Sequence, residues 1–353
     1  MVHTMATHPN VTAAPAAGSH TAEIGALFGR LARRPEAGAF LGLVAVFVFF
    51  AVLGGRVFVG PAGFASWLNI AAEIGIVALP VGLLMIAGEL DISVGAVIPA
   101  SSLTVAIVSG FYEAPELVGI LAGLGVGLLV GYVNGLLVTR TTIPSLIITI
   151  GTMFGVMGLT LGLTVMIAGS TGVFMVPSPA TKMLLGQFIG GMFQVTIIWW
   201  LLFVAVLFFL LHLSPIGNWV YALGGDKVSA RNAGIPTGKL TIGLYMLSGF
   251  SAAFVGVSQV LVYQSAQVLA GQAFIFNSIM CVVIGGVLLT GGSGSVVGIV
   301  LGTITFSIVN QGIYFTGIDP NVGSVIIGAL LLIAVLTNDS FRAMALNYSS
   351  KKK

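Results

Sequence analysis

The sequence contains little charge and a single cysteine. Asp, Glu, Lys and Arg make up 7% of its 353 residues, whereas roughly a quarter of the residues of a soluble domain are charged. Cys281 has no second cysteine to pair with, which excludes a disulfide framework and a thiolate metal site made by this chain alone. His3, His8 and His20 are too scattered to indicate a metal site.

Long apolar runs fill most of the chain, since 57% of its residues are hydrophobic. A helix of about twenty apolar residues crosses a bilayer, and runs of that length lie at about 40–58, 68–88, 92–110, 117–138, 144–168, 193–213, 241–263, 272–290, 294–315 and 321–337. The sequence therefore predicts an all-α, polytopic membrane protein with about ten transmembrane helices. Its 49 glycines suit helices that pack backbone to backbone, because lipid gives no hydrophobic drive for helix association.

The basic residues predict the orientation of the chain. With the N-terminus inside, most of them fall on the cytoplasmic side, as the positive-inside rule requires. These are Arg140, Lys227, Arg231, Lys239, Arg342 and Lys351 to Lys353, against Arg56 and Lys182 outside. Both termini are thus expected in the cytoplasm, with a disordered arm over 1–37, a membrane domain over 38–340 and a basic tail over 341–353. The net charge of +3 follows from this topology and does not indicate nucleic acid as a partner.

A charged segment within residues 214–240 interrupts the apolar sequence, and its centre reads YALGGDKVSARNAGIPTGKL from Tyr221 to Leu240. Asp226 is suited to cap a short helix over 227–232. Gly234 is placed as its left-handed stop, and Pro236 prevents continuation. The segment is predicted to protrude into the cytoplasm as a helix of two turns.

Two further segments join predicted spans too closely for ordinary loops. In the first, GELDISVG over 88–95, Asp91 or Ser93 either caps the next helix or contacts a substrate directly, and Gly95 permits close packing. The second, over 284–298, is rich in glycine, but no strand precedes it and no P-loop lysine follows it, so phosphate binding is not indicated. Its glycines are expected to allow a sharp turn between packed helices.

The fourth predicted span carries glycines at every fourth position, Gly119, Gly123, Gly127, Gly131 and Gly135. They share one stripe of a helix, where another helix is expected to pack tightly. Asn134 lies beside this stripe and is interpreted as a hydrogen-bonding link between helices.

The pattern Gly-Gly-acid-x-x-x-Ala-Arg-x-x-Gly-Ile resembles the cytoplasmic coupling loop of ABC importer permeases, in particular the ribose-type sugar branch. The matching residues are Gly224, Gly225, Asp226, Ala230, Arg231, Gly234 and Ile235. The segments 88–95 and 284–298 resemble the same family through Gly88, Asp91, Ser93, Gly95, Gly285, Gly286, Gly291, Gly292 and Gly298, although Glu89 stands where the family has a neutral residue. The resemblance covers about 68–337 and implies structural roles for these glycines.

This resemblance implies a permease subunit of a bacterial importer for a monosaccharide or related polyol, in the inner membrane. The implied partners are a second copy or a sister permease, two ABC ATPase domains and a periplasmic solute-binding protein. The chain itself has no Walker motif, so ATP and Mg are expected on the partner ATPase subunits and no cofactor is expected here.

Three alternative functions make different demands on the residues. An ion-coupled secondary transporter would keep ionisable groups near the bilayer midplane, and Glu73 is the one acidic candidate; it is predicted near the outer end of its span, hydrated at the interface. A branched-chain amino-acid permease of the same superfamily remains an alternative. A membrane enzyme is disfavoured, because no intramembrane His pair, carboxylate pair or nucleophile-base spacing occurs.

Neutral polar side chains within the predicted spans are candidates to line the solute path: Asn69, Ser101, Ser102, Asn277, Asn310 and Gln311. The alternative for each serine is a bond to its own helix backbone, and for each amide a bond to a neighbouring helix. The polar connection over 169–192 is expected either to dip into the membrane or to form an outer lid.

Overall fold

The computed structural model describes residues 36–319 and the isolated positions 325, 328, 329 and 332. Most of the predicted span at 321–337, residues 1–35 of the N-terminal arm and the basic tail lie outside the described residues. Among the described residues the first helix begins at Glu36, two residues before the predicted boundary of the membrane domain.

Helices dominate the described part of the chain. They are α1 (Glu36–Val59), α2 (Pro61–Ile86), α3 (Val94–Val105, continued by a π-helical turn over Ala106–Phe111), α4 (Glu116–Arg140), α5 (Ser145–Ala168), α6 (Pro179–Thr181, continued by a π-helical turn over Lys182–Gly186), α7 (Thr196–Phe208, continued over Phe209–Leu213), α8 (Pro215–Gly225), α9 (Lys227–Asn232), α10 (Thr237–Tyr263), α11 (Gln272–Ile284) and α12 (Val296–Gly312, continued by a 3-10 turn over Ile313–Phe315). Two short antiparallel pairings join β1 (Gly172–Phe174) to β4 (Ser265–Gln267) and β2 (Phe188–Ile189) to β3 (Phe193–Gln194).

Eight of these helices are long and apolar enough to cross a membrane within the described residues: α1, α2, α3, α4, α5, α7, α10 and α12, with their continuations. The predicted all-α, polytopic membrane fold is confirmed. The predicted span at 272–290 is wrong in its extent, because α11 has only 13 residues and ends at Ile284. At about 1.5 Å per residue α11 is roughly 20 Å long. The rest of the predicted span belongs to the irregular segment 285–295.

The helix α2 lies at the centre of the bundle. It is buried on all sides from Ala71 to Ile86 and contacts α7, α10, α11 and α12. Three glycine-containing loops begin or end on α2 or on helices that contact it.

The glycine stripe of α4 packs against α10 as predicted. A Cβ atom at Gly127 would lie 2.2 Å from the Gly249 carbonyl oxygen, and one at Gly131 would lie 2.3 Å from the Tyr245 carbonyl oxygen. The fit is reciprocal, since a Cβ atom at Gly249 would lie 2.1 Å from the Gly127 carbonyl oxygen. The two backbones therefore touch, and only glycine allows it.

The outer connection over 169–195 enters the helix bundle. The Leu184 carbonyl accepts a hydrogen bond from the Trp199 indole at 2.8 Å, and the Leu185 carbonyl accepts one from the Ser258 hydroxyl at 2.9 Å. Ser258 lies more than one turn inside the end of α10. The connection is thus hydrogen-bonded to α7 and α10, and the choice between a dip into the membrane and an outer lid, predicted for 169–192, stays a prediction.

Candidate functional site

The predicted cytoplasmic helix is present as α9. The Asp226 carboxylate accepts a hydrogen bond from the Ser229 amide at 2.6 Å, and Gly234 has φ of +84°. The Ile235 amide bonds back to the Ala230 carbonyl at 3.1 Å, which closes the helix C-terminus. Both the cap at Asp226 and the stop at Gly234 are confirmed. They could be predicted from the sequence because such signals act within a few residues.

The surface of α9 faces outward except at one point. Ala230 is buried, whereas Lys227, Val228 and Arg231 are exposed. Ala230 thus faces the rest of the protein, and the other side chains of α9 are exposed.

The cap at Asp226 predicts a local stability effect. Hydrogen bonds from Ser229 hold the pKa of this carboxyl below its ordinary value of about 3.9. A lowered pKa means that the cap is at full strength above the ordinary value and is lost as the pH falls through the lowered one. We expect Asp226→Ala to speed amide deuterium exchange over 227–232 at neutral pH, and Asp226→Asn to leave it unchanged, because an asparagine oxygen also caps. Equal exchange in the alanine variant and the unaltered chain would contradict the capping role.

Three loops meet directly beneath α8 and α9, backbone against backbone. A Cβ atom at Gly224, near the end of α8, would lie 1.8 Å from the Ile86 carbonyl oxygen and 2.6 Å from the Gly292 nitrogen. The Gly292 amide donates a hydrogen bond of 2.8 Å to the same Ile86 carbonyl. A Cβ atom at Gly291 would lie 2.9 Å from both the Gly224 carbonyl oxygen and the Gly88 Cα. We call this contact of Ile86, Gly88, Gly224, Gly291 and Gly292 the glycine junction.

The glycines of the two neighbouring turns have the conformations that such turns require. Gly88, Gly286, Gly291 and Gly292 all have φ between +74° and +85°, a region that residues with a Cβ rarely adopt. The Tyr221 hydroxyl of α8 donates to the Gly294 carbonyl at 2.8 Å. The second turn is therefore shaped by its own glycines and fastened to the loop that carries α9.

Other predicted glycine contacts are present in the same region. A Cβ atom at Gly95 would lie 2.2 Å from a side-chain carbon of Ile275. At Gly285 it would lie 2.4 Å from the Gly298 carbonyl oxygen, and at Gly298 it would lie 2.2 Å from that of Gly285. The close packing predicted for these glycines is confirmed.

The carboxylate of Asp91 organises the turn between α2 and α3. It accepts hydrogen bonds from the Ser93 amide at 2.9 Å and hydroxyl at 2.6 Å, and from the Ser248 hydroxyl of α10 at 2.7 Å. The Asn134 amide of α4 donates to the Ser93 hydroxyl at 2.8 Å. Asp91 is 1% exposed, so in this conformation its carboxylate stabilises the turn. Ser93 occupies the cap position of α3 without a side-chain capping bond.

Further hydrogen bonds hold the same turn to α5 and α10. The Leu90 amide donates to the Ser145 hydroxyl of α5 at 3.2 Å, and the Leu90 carbonyl accepts from the Tyr245 hydroxyl of α10 at 2.9 Å. Together with Asn134, these bonds connect one turn at the glycine junction to α4, α5 and α10.

The interpretation of Glu73 as a hydrated interfacial residue is wrong. Glu73 is 5% exposed, and its carboxylate accepts hydrogen bonds of 2.8 Å from the Gln259 amide and the Tyr263 hydroxyl. The Gln194 amide donates to the same hydroxyl at 3.3 Å. Although Glu73 is the thirteenth of the 26 residues of α2, its partner Tyr263 ends α10, so the cluster lies at the outer end of that helix.

The candidate path residues lie on neighbouring helices with different local roles. Asn69 binds the β2–β3 hairpin through the Met192 carbonyl and the Gln194 amide, each at 2.9 Å. Ser102 donates to the Pro99 carbonyl of its own helix, whereas the buried Ser101 hydroxyl has no partner among the described residues.

The remaining candidates are Asn277, Asn310 and Gln311, all partly buried. The Gln311 amide donates to the Asn310 side chain at 2.8 Å. Asn277 lies on α11, which packs against α2, α3 and α12, the helices that carry the other candidates. The lining role stays a prediction.

The fold and the glycine junction define a polytopic helical permease, and comparison with known proteins specifies the family. A family described as branched-chain amino acid transport system / permease component matches residues 63–335. The chain belongs to this family and is a multi-pass protein of the inner membrane.

Individual relatives extend over most of the chain. The fructose import permease protein of Rhizobium meliloti is 30% identical over 88% of this chain and 87% of its own length. The ribose import permease protein of Bacillus subtilis is 32% identical over 85% and 91%, and an autoinducer 2 import system permease protein of Photorhabdus temperata is 30% identical over 74% and 79%. No solved structure matches. The predicted resemblance to ribose-type import permeases is confirmed.

Proposed function

We propose that this chain is a membrane subunit of an ABC importer that carries a monosaccharide or related polyol into the cytoplasm. The observation that carries the proposal is the exposed helix α9, which directly follows α8, whose Gly224 belongs to the glycine junction. A force applied to α9 from the cytoplasm reaches two loops between membrane helices at once. This arrangement suits a subunit that is moved by another protein.

ATP binding and hydrolysis belong to separate subunits in this proposal, since the chain has no phosphate-binding loop with its lysine. Two ATPase domains would engage α9 and its counterpart on a second permease, either another copy or a sister chain. A periplasmic solute-binding protein would deliver the solute to the outer face.

The proposed solute class follows from the relatives and from the polar groups of the bundle. The relatives are named for fructose, ribose and autoinducer 2, which favours a hydroxylated solute over a branched-chain amino acid. Neutral donors and acceptors such as Asn277, Asn310 and Gln311 suit hydroxyl groups. Contacts along the path should be weak, because a deep well would retain a solute that the binding protein has already selected.

Ion coupling is the main competing mechanism, and the chain alone can test it. We expect purified protein in liposomes to show no uptake of labelled D-ribose or D-fructose driven by a proton or sodium gradient, because the one intramembrane carboxylate of the described spans, Glu73, is bound by two neutral side chains. An ionophore-treated sample is the control for leak. Gradient-driven accumulation without ATPase subunits would replace the proposed function by secondary transport.

A further inference from the structure

An ion pair connects α9 to the turn between α2 and α3. The Lys227 ammonium lies 3.0 Å from a carboxylate oxygen of Glu89, whose side chain is only 12% exposed. Lys227 begins α9 and Glu89 lies in the turn that follows α2, so the pair joins two of the segments that meet at the glycine junction.

The position of Lys227 is unfavourable for α9 by itself. Lys227 is the first residue of the helix, where the positive end of the helix dipole disfavours a cation. A lysine at this place is therefore not explained by helix stability. The carboxylate of Glu89 supplies the compensating charge from the opposite side of the glycine junction.

The turn that carries Glu89 is tied to the membrane helices on its other side. The adjacent Leu90 is bonded to Ser145 and Tyr245, and Asp91 is bonded to Ser248. A displacement of Glu89 is therefore passed to α5 and α10 through the hydrogen bonds of the next two residues, Leu90 and Asp91.

We propose that Lys227 and Glu89 form a positioning contact that transmits movement of α9 to the α2–α3 turn during transport. This inference rests on the proposed function. Alternating access moves helices against one another, and the ion pair makes the turn follow α9 in both directions, whereas the glycine contacts only resist compression.

Charge reversal tests the proposal in the complete importer reconstituted in proteoliposomes. We expect Lys227→Glu and Glu89→Lys each to lower the amount of labelled D-ribose or D-fructose transported per ATP hydrolysed by about three- to tenfold, and the double reversal to restore most of it. Lys239→Glu is the matched control, because Lys239 is exposed in the first turn of α10 and makes the same change of charge. The ratio of transport to hydrolysis is used because a merely structural defect would lower both.

A second measurement does not depend on transport. Amide deuterium exchange over 88–90 should rise in each single reversal of the detergent-solubilised permease and return in the double reversal. Unchanged exchange and unchanged transport per ATP in both single variants would overturn the positioning role. A double reversal that is as impaired as the single variants would also overturn it, since Lys227 would then act on the ATPase subunit. If the unaltered complex shows no ATP-driven sugar uptake, it is the proposed function that fails, whatever the exchange data show for the pair.

Discussion

Replacing Gly224 by alanine is expected to reduce ATP-driven uptake at least about fivefold, whereas replacing Gly225 leaves it close to that of the unaltered permease. The new methyl group at 224 would lie 1.8 Å from the Ile86 carbonyl oxygen and 2.6 Å from the Gly292 nitrogen. Both are backbone atoms at the core of the glycine junction and cannot rotate away. Overpacking of this kind costs about 1–3 kcal/mol, and about 1.4 kcal/mol corresponds to tenfold.

Gly225 is a stringent control for this effect. It is the next residue in the same helix, and a Cβ atom there meets nothing within 4 Å. The measurement is uptake by proteoliposomes together with the melting temperature of each variant. If Gly224→Ala retains full uptake, the close contact of the three loops is not required for transport.

Replacing Gly127 by alanine should destabilise the membrane domain. The methyl group would lie 2.2 Å from the Gly249 carbonyl oxygen and 2.5 Å from the Ala253 Cβ, so α4 and α10 must separate. We expect a loss of about 1–3 kcal/mol in the free energy of unfolding, seen as a lower melting temperature in detergent. Because Gly131 and Gly135 of the same stripe also pack against α10, one displaced contact weakens several others.

The matched variant is Gly125→Ala in the same helix. A Cβ atom at Gly125 meets nothing within 4 Å, and alanine favours a helix over glycine by about 1 kcal/mol. This variant is expected to melt at the same temperature as the unaltered protein or slightly higher. Equal melting temperatures for the two variants would show that the α4–α10 contact does not limit stability.

Local signals in the sequence predicted local structure well. The cap at Asp226 and the stop at Gly234 act over three or four residues, and the stripe on α4 repeats at the period of a helix. The predicted span at 68–88 begins several residues too late. In the structure Pro61 is the first residue of the helix, a position where its missing amide hydrogen is no loss.

Contacts between distant residues could not be predicted from one sequence. Gly88, Gly224 and Gly292 are far apart in the chain, and nothing local indicates that they meet. The partners of Glu73 lie 186 and 190 residues away, so its apolar flanks and polar side chain suggested hydration instead of burial. The early end of α11 has a local cause instead, since Gly286 has φ of +85° and its amide donates to the Val283 carbonyl at 2.9 Å, which ends the helix.

The most direct test of the account is ATP-driven uptake by the complete system. The permease is reconstituted in liposomes with its ATPase subunits and solute-binding protein, and labelled D-ribose, D-fructose and L-leucine are offered in turn. We predict uptake of a sugar that requires ATP, the binding protein and an intact α9. Uptake of leucine without any sugar, or sugar uptake that needs no ATPase subunit, would contradict it.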